Sequence, residues 1–376
     1  MRERPFDERG GKRVRSIYNE MVPDHWFDEY KKESTTDQRR QELVEEVFRI
    51  IRSVNKFPEP IVTLEEEIRA LRSLETLDPY KLYEDGFIEL NSVGITLCST
   101  FYPNIHDVKK QNTPYSTREG FYDDDYLKRC IRKIFLYGTG ISDLVGWLRI
   151  GGLCGYCNNF RPSAAKAIYD TNLREKGSKV YDYAAGYGGR LMGAWAAEKV
   201  SEYVAVDPNT ETYENANRFA DFLLNKHPGT LEKAEIHKLG SEDFTIERFP
   251  EYENYFDIAF SSPQYFNTEI YSNEETQSCF KFNSYNRWAK GFLRPTIFNC
   301  IDVLKPEGIF AVNIFAKLPK IKELMQFICS ERDFKLYKVE KMSLQVMPGK
   351  GKDGEARKKT DRKFEPIFYF KHKDYF

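Results

Sequence analysis

From about residue 160 onward, short apolar runs alternate with stretches of helical spacing, and this alternation narrows the possible folds more than any other feature of the chain. Pro162 to Thr171, Gly189 to Lys199 and Glu211 to Leu224 carry helical patterns. Lys179 to Tyr183, Glu202 to Val206, Ala234 to Leu239 and Phe256 to Phe260 read as strands. Tyr285 to Leu304 predicts a long helix, and Ile309 to Ile314 another strand. Phe334 to Met342 and Pro366 to His372 would close the sheet as a terminal hairpin. Repeated strand–helix units give a largely parallel sheet with helices on both faces, so the expected class is α/β, a Rossmann-like doubly wound sheet. Met347 to Lys363 is rich in Gly, Lys and Arg and is expected to be a mobile basic loop.

The first 150 residues follow a different pattern. They are charged and mainly helical, which suggests a boundary between a 1–150 N-terminal region and a 151–376 domain. Gln41 to Val54 has apolar residues at helical spacing, and Thr63 with Glu66 three positions on forms a capping-box signature. Residues 87–105 read as one or two short strands, and Asp107 to Gly120 as an exposed, turn-rich loop. Tyr126 to Leu136 predicts a basic amphipathic helix carrying Lys128, Arg129, Arg132 and Lys133. Those charges make either a solvated face or a phosphate-contacting surface. The region is a candidate for target recognition or for binding a partner protein.

Composition excludes some classes. Of the 376 residues, 41% are hydrophobic and 31% charged, an ordinary balance for a chain with a sizeable core. The net charge of -1 provides no global field for nucleic acid, so a nucleic-acid substrate would need a local basic patch. No segment approaches the roughly 18 apolar residues of a membrane span, and Met1 to Arg15 lacks the apolar run of a signal peptide. The expectation is a cytoplasmic protein with reduced thiols and no membrane contact. Seven cysteines are scattered, and only Cys154 and Cys157 form a CxxC pair; without further ligands at similar spacing, that pair reads as two small loop residues and no metal site is expected.

Three loops carry the chemistry. Val180-Tyr-Asp-Tyr-Ala-Ala-Gly-Tyr-Gly-Gly-Arg190 runs from a strand through a glycine-rich turn into a helix. Gly186 and Gly188 suit close approach of backbone to a ligand. Tyr203-Val-Ala-Val-Asp207 is a strand ending in an acid about 20 residues beyond Gly186, the spacing at which a carboxylate meets ribose hydroxyls. Gly240-Ser-Glu-Asp-Phe244 follows another strand, and Glu242 or Asp243 could reach an adenine amino group. Leu191 stands where the third glycine of a dinucleotide fingerprint would be, which favours S-adenosylmethionine, a ligand without pyrophosphate, over NAD.

Phe256-Asp-Ile-Ala-Phe-Ser-Ser-Pro-Gln-Tyr265 resembles the catalytic motif of the amino-group (N6-adenine or N4-cytosine) DNA methyltransferases, a branch of the class I S-adenosylmethionine-dependent methyltransferases. In that family the motif is Asp, Asn or Ser, then Pro-Pro, then an aromatic; here it is Ser262-Pro263-Gln264-Tyr265. Asp182 to Gly188 is similar to the family's cofactor turn. Asn159-Phe-Arg-Pro-Ser-Ala-Ala-Lys166 looks like the element that packs on the methionine end of the cofactor, and Glu365 to Phe370 resembles the closing strand. The match spans about 158–372.

The resemblance implies an S-adenosylmethionine cofactor held by Phe160, Arg161, Pro162, Asp182, Ala184, Gly186, Gly188, Asp207, Glu242 and Asp243. It implies catalysis by Ser262, Pro263, Gln264 and Tyr265. Tyr265, Phe266, Asn267, Glu269 and Tyr271 would line the acceptor pocket. DNA is the implied partner, in a phage or restriction-modification setting. RNA, a small amine, or a non-catalytic role in binding or assembly are the alternatives. Gln264 in place of the second proline predicts a less rigid loop, and Tyr183-Ala184 replaces the usual Pro-Phe.

Overall fold

A computed structural model of the chain describes residues 15–89, 91–138, 140–227, 229–314, 319–344 and 363–376. The chain forms two compact units. One comprises Met1–Glu66, Pro103–Cys157 and Asn267–Ser272; the other comprises Glu67–Tyr102, Asn158–Phe266 and Asn273–Phe376. Apart from Lys363, the basic stretch 347–363 lies outside the described residues.

Among the described residues, the second unit is built on nine strands: β1 Tyr83–Glu84, β2 Phe87–Ile88, β3 Ser178–Asp182, β4 Val200–Val206, β5 Lys233–His237, β6 Phe256–Ser261, β7 Leu304–Asn313, β8 Phe334–Ser343 and β9 Phe364–His372. Their spatial order is β1-β2-β8-β9-β7-β6-β3-β4-β5. Strands β3 to β7 are parallel to their neighbours among themselves, and β9 runs antiparallel between β7 and β8. The chain steps outward from β3 to β5 on one side, then returns to place β6 and β7 on the other. That reversal makes a topological switch point between β3 and β6, where doubly wound sheets bind ligands beyond the strand C-termini. The expected Rossmann-like α/β sheet is therefore present.

Helices α1 Ile95–Phe101, α2 Pro162–Asn172, α3 Gly189–Ala196 and α4 Thr210–Lys226 pack as one connected group. Helices α5 Arg294–Asp302 and α6 Pro319–Ser330 pack together as a second. The strand side chains divide accordingly. Tyr181 and Tyr183 of the β3 run join an aromatic and aliphatic core with Trp288, Ile297 and Phe310. Asp182, between them in sequence, points to the opposite face, as strand alternation requires.

Three local expectations need correction. Residues 87–105 hold one short strand, within the expected one or two, but helix α1 forms in the rest of the segment. Gly94 caps that helix in the left-handed region at φ 86°, and Phe101 packs on Phe219 and Phe222 of α4. This apolar contact overrides the strand propensity of the Ile-Thr-Leu-Cys run. Residues 107–120 are not an exposed loop throughout, since Val108, Ser116, Thr117 and Gly120 are buried. Ser116 and Glu119 close a capping box that starts the helix Thr117–Tyr122, with bonds of 2.8 and 3.1 Å. The predicted helix from Tyr285 ends at Asp302 and passes through a π segment, Ala289–Leu293. Pro295 lacks an N–H for the regular ladder, and the widened turn accommodates the missing bond.

In the first unit, Asp37–Val54 buries Leu43, Val44, Val47 and Ile51, and Asp124–Tyr137 buries Leu127, Cys130, Ile131 and Ile134. Phe27 and Tyr30 stack on Phe135 at 4.8 and 4.7 Å. The Thr63–Glu66 capping box forms as expected. On the basic helix, Lys128 pairs with Glu45 at 2.9 Å and Arg129 donates to the Gly151 carbonyl at 2.7 Å, whereas Arg132 and Lys133 are exposed. Cys154 and Cys157 are both buried free thiols. Among the described residues, no helix is long and apolar enough to cross a membrane.

Candidate active site

The glycine turn is braced from below. Gly186 lies at φ 59° and Gly188 at φ 80°, conformations that side-chain-bearing residues rarely adopt. Asp182 is fully buried; it accepts from Arg190 Nε at 2.7 Å, from the Tyr203 hydroxyl at 2.5 Å and from the Ala184 amide at 3.2 Å. Arg190 also donates to the Ala184 and Ala185 carbonyls, and its guanidinium lies over the Phe160 ring. The Asp182 carboxylate is thus turned inward, and its structural role is to hold the turn. Arg190, buried at the start of α3, was not marked as functional by sequence reasoning, although it closes the quoted motif.

The segment before α2 packs on the same turn. Asn159 donates to the Tyr187 carbonyl at 2.6 Å, and a Cβ at Gly189 would stand 1.8 Å from the Phe160 carbonyl oxygen. Phe160 sits edge-on to Phe260, and Pro162 opens α2. Arg161 reaches away to the Ser343 carbonyl at 2.7 Å, at the end of β8.

Asp207, one residue past β4, accepts from the Gly186 amide at 3.1 Å and the Asn209 amide at 3.0 Å. Burial of its carboxyl pushes its pKa up to about 7, against these two amide bonds that favour the charged form. Glu242 and Asp243 lie on a short 3-10 turn and share Lys281, at 2.8 and 2.6 Å. Asn299 donates to the Ser241 and Glu242 carbonyls and fixes that turn. Burial raises the Glu242 carboxyl, and Lys281 works in the opposite direction. The Glu242 Oε2 is buried without a hydrogen-bond partner among the described residues.

Strand β6 delivers Ser261, whose hydroxyl donates to the Ala184 carbonyl at 3.1 Å and ties the acceptor loop to the glycine turn. Ser262 donates to Asn313 Oδ1 at 3.1 Å, and the Tyr265 hydroxyl donates to the Asn313 carbonyl at 2.8 Å. Asn313 Nδ2 donates to the Pro366 carbonyl at 3.1 Å, which sets its amide so that Oδ1 faces Ser262. Pro263 is buried between them. Asn313, at the end of β7, was missed because no local pattern around Ile309 to Ile314 separates it from an ordinary strand residue.

The expected looseness at Gln264 is offset. Its Oε1 accepts from the Ser278 hydroxyl at 2.7 Å, and Ser278 in turn accepts from Trp288 Nε1 at 3.1 Å. A side-chain clamp stands where a second proline ring would have stiffened the backbone. Phe266, at φ 52°, packs near Tyr285 and Trp288. Asn267, Glu269 and Tyr271 belong to the other unit: Glu269 and Ile270 pair antiparallel with Lys109 and Lys110, and Tyr271 donates to Glu269 at 2.6 Å.

No protein-family model matches the chain, and no curated protein matches it. Solved structures similar to it include a TehB-like SAM-dependent methyltransferase from Corynebacterium glutamicum, at 13% identity over 60% of this chain and 92% of that one, TM-score 0.34. A SAM-dependent O-methyltransferase from Thermotoga maritima is similar at 14% identity over 61% and 70%, TM-score 0.37. The branched-chain polyamine synthase from Thermus thermophilus is similar at 13% over 56% and 55%, TM-score 0.36. These likenesses are too slight to carry the role of any residue.

Proposed function

We propose that the chain is an S-adenosylmethionine-dependent methyltransferase acting on an exocyclic amino group of a nucleic-acid base, with DNA as the first candidate substrate. The observation that carries this reading is the state of Ser262. Its single proton is committed to Asn313, so its oxygen is left to accept. An aromatic amine is a poor nucleophile because its lone pair is delocalised into the ring. Acceptance of its N–H groups by Ser262 Oγ and the Pro263 carbonyl would orient that lone pair for in-line attack. Tyr265, anchored at its hydroxyl, offers a ring against which the base could stack. A duplex base would have to leave the helix to reach it.

The residues present suit the cofactor. Asp207 is a carboxylate with acceptor capacity beyond its two amide bonds, which suits ribose hydroxyls. The Glu242 Oε2, buried and without a hydrogen-bond partner among the described residues, suits an adenine amino group. Phe160 to Pro162, Ala184, Gly186 and Gly188 would form the floor beside it, with Asp182 holding the turn and Asp243 holding Lys281. When bound, S-adenosylmethionine supplies the electrophilic methyl group. Positioning, rather than a strong base, would supply most of the rate.

A second reading, a methyltransferase on RNA or a small amine, is favoured by the net charge of -1, which offers no broad attraction to duplex DNA. The test is tritium transfer from labelled cofactor to duplex DNA, single-stranded DNA, RNA and free nucleosides, with Ser262→Ala beside the wild type. Transfer to a base amino group, lost in Ser262→Ala, is expected. Cofactor binding with no transfer to any of the four would sink the catalytic reading and leave a non-catalytic binding domain.

A further inference from the structure

We propose that Tyr102, together with Asp207, reads the ribose of the bound nucleoside cofactor, with the phenol donating to a ribose hydroxyl while the Asp207 carboxylate accepts from the diol. This rests on the cofactor reading above and adds a residue to it.

The two side chains hold the two glycines of one turn. Asp207 takes the amide of Gly186 at 3.1 Å. Tyr102 covers Gly188: a Cβ there would meet the Tyr102 ring at 2.5 and 2.9 Å. The ring cannot move far, because it is edge-on to Tyr187 at 6.2 Å and to Phe219 at 5.9 Å. The glycine at 188 is therefore required both by its φ of 80° and by the phenol ring against it.

Tyr102 is 1% exposed, yet its hydroxyl has no hydrogen-bond partner among the described residues. A phenol buried in this way ordinarily finds a partner, since leaving one unmade costs free energy. Helix α1, which ends just before it, would present an aliphatic residue equally well if packing alone were needed. Burial acts most strongly on the hydroxyl, and the groups that act on it electrostatically are the Cys98 thiol, then the site's own carboxylates of Asp207 and Asp182 and guanidinium of Arg190. Asp182 and Arg190 are already bonded to each other. Asp207 retains lone pairs, and a ribose diol between phenol and carboxylate would satisfy both. Burial keeps the phenol protonated, so it serves as a donor where Asp207 serves as an acceptor.

The experiment is calorimetric titration of wild type, Tyr102→Phe, Asp207→Asn and the double variant with S-adenosylhomocysteine and its 2′-deoxy and 3′-deoxy analogues. Tyr102→Phe keeps the ring against Gly188 and removes only the hydroxyl. It is expected to weaken S-adenosylhomocysteine about tenfold, the effect of one hydrogen bond. It should bind the deoxy analogue that lacks the contacted hydroxyl as well as the wild type does. The double variant should lose less than the product of the single losses. Equal affinity of wild type and Tyr102→Phe for S-adenosylhomocysteine overturns the proposal. So does an equal loss for all three ligands accompanied by a lower melting temperature, which marks a packing role. A wild type that binds none of the three overturns the cofactor reading itself, and this inference with it.

Discussion

Replacing Arg190 with methionine tests the idea that a buried ion pair, rather than the glycines alone, shapes the glycine turn. Methionine keeps much of the aliphatic stem and removes the guanidinium. The variant loses the 2.7 Å bond to Asp182 and the bonds to the Ala184 and Ala185 carbonyls, and Asp182 stays fully buried with only Tyr203 and one amide as partners. Removing one member of a buried pair costs about 3–5 kcal/mol, because the other charge is left uncompensated. In a unit of this size each kcal/mol shifts the melting temperature by about 2–4 °C, so a fall of roughly 6–20 °C is expected. Asp182→Asn with Arg190→Met removes both charges and should recover at least about 1–2 kcal/mol relative to Arg190→Met alone. Circular dichroism melts and urea titrations of the four proteins complete the cycle. A loss below about 1 kcal/mol in Arg190→Met, or a double variant equal to the sum of the singles, would refute the reasoning.

Cofactor affinity should depend on pH through Asp207. Burial pushes its folded carboxyl up to about 7, so the free protein loses stability as pH rises from the ordinary carboxylate range towards 7, while the ionised form is the one that would accept from a ribose under the proposed function. Calorimetry between pH 5.5 and 8.5 should show affinity rising and levelling above about 7, and Asp207→Asn should abolish the slope. Asn313→Ala removes the side-chain oxygen that takes the Ser262 proton but keeps the backbone carbonyl that anchors Tyr265, so methyl transfer should fall by about 10–100-fold with cofactor affinity unchanged; steady-state kinetics beside calorimetry separate the two. Gln264→Pro, which introduces the proline pair of the motif that Ser262 to Tyr265 resembles, should lower activity rather than raise it, because the Ser278 clamp is lost; a gain in kcat would show the clamp to be incidental. Gly189→Ala should not give folded protein at 37 °C, since its Cβ would overlap the Phe160 carbonyl; a soluble variant with the wild-type melting temperature would contradict that contact.

The sheet, the glycine turn and the acid after β4 were legible in the sequence because each is written in short-range periodicity. Strands buried on both faces appear as apolar runs, and a left-handed turn needs glycine at 186 and 188. The Thr63 and Ser116 capping boxes belong to the same class, although the second was passed over within a stretch read as loop. Helix α1 was misread because its residues favour strand in isolation, and only the aromatic surface of α4 makes the helix the lower state.

What the tertiary structure alone decided are the pairings between residues distant in sequence. Ser262 becomes an acceptor through Asn313, 51 positions away, and Gln264 is held by Ser278 at the start of a separate short helix. The segment after the acceptor loop joins the N-terminal unit by pairing with Lys109 and Lys110. Local composition determines which strands and turns form. Which donor meets which acceptor depends on the register of strands brought together from far along the chain, and residue spacing carries no record of that register.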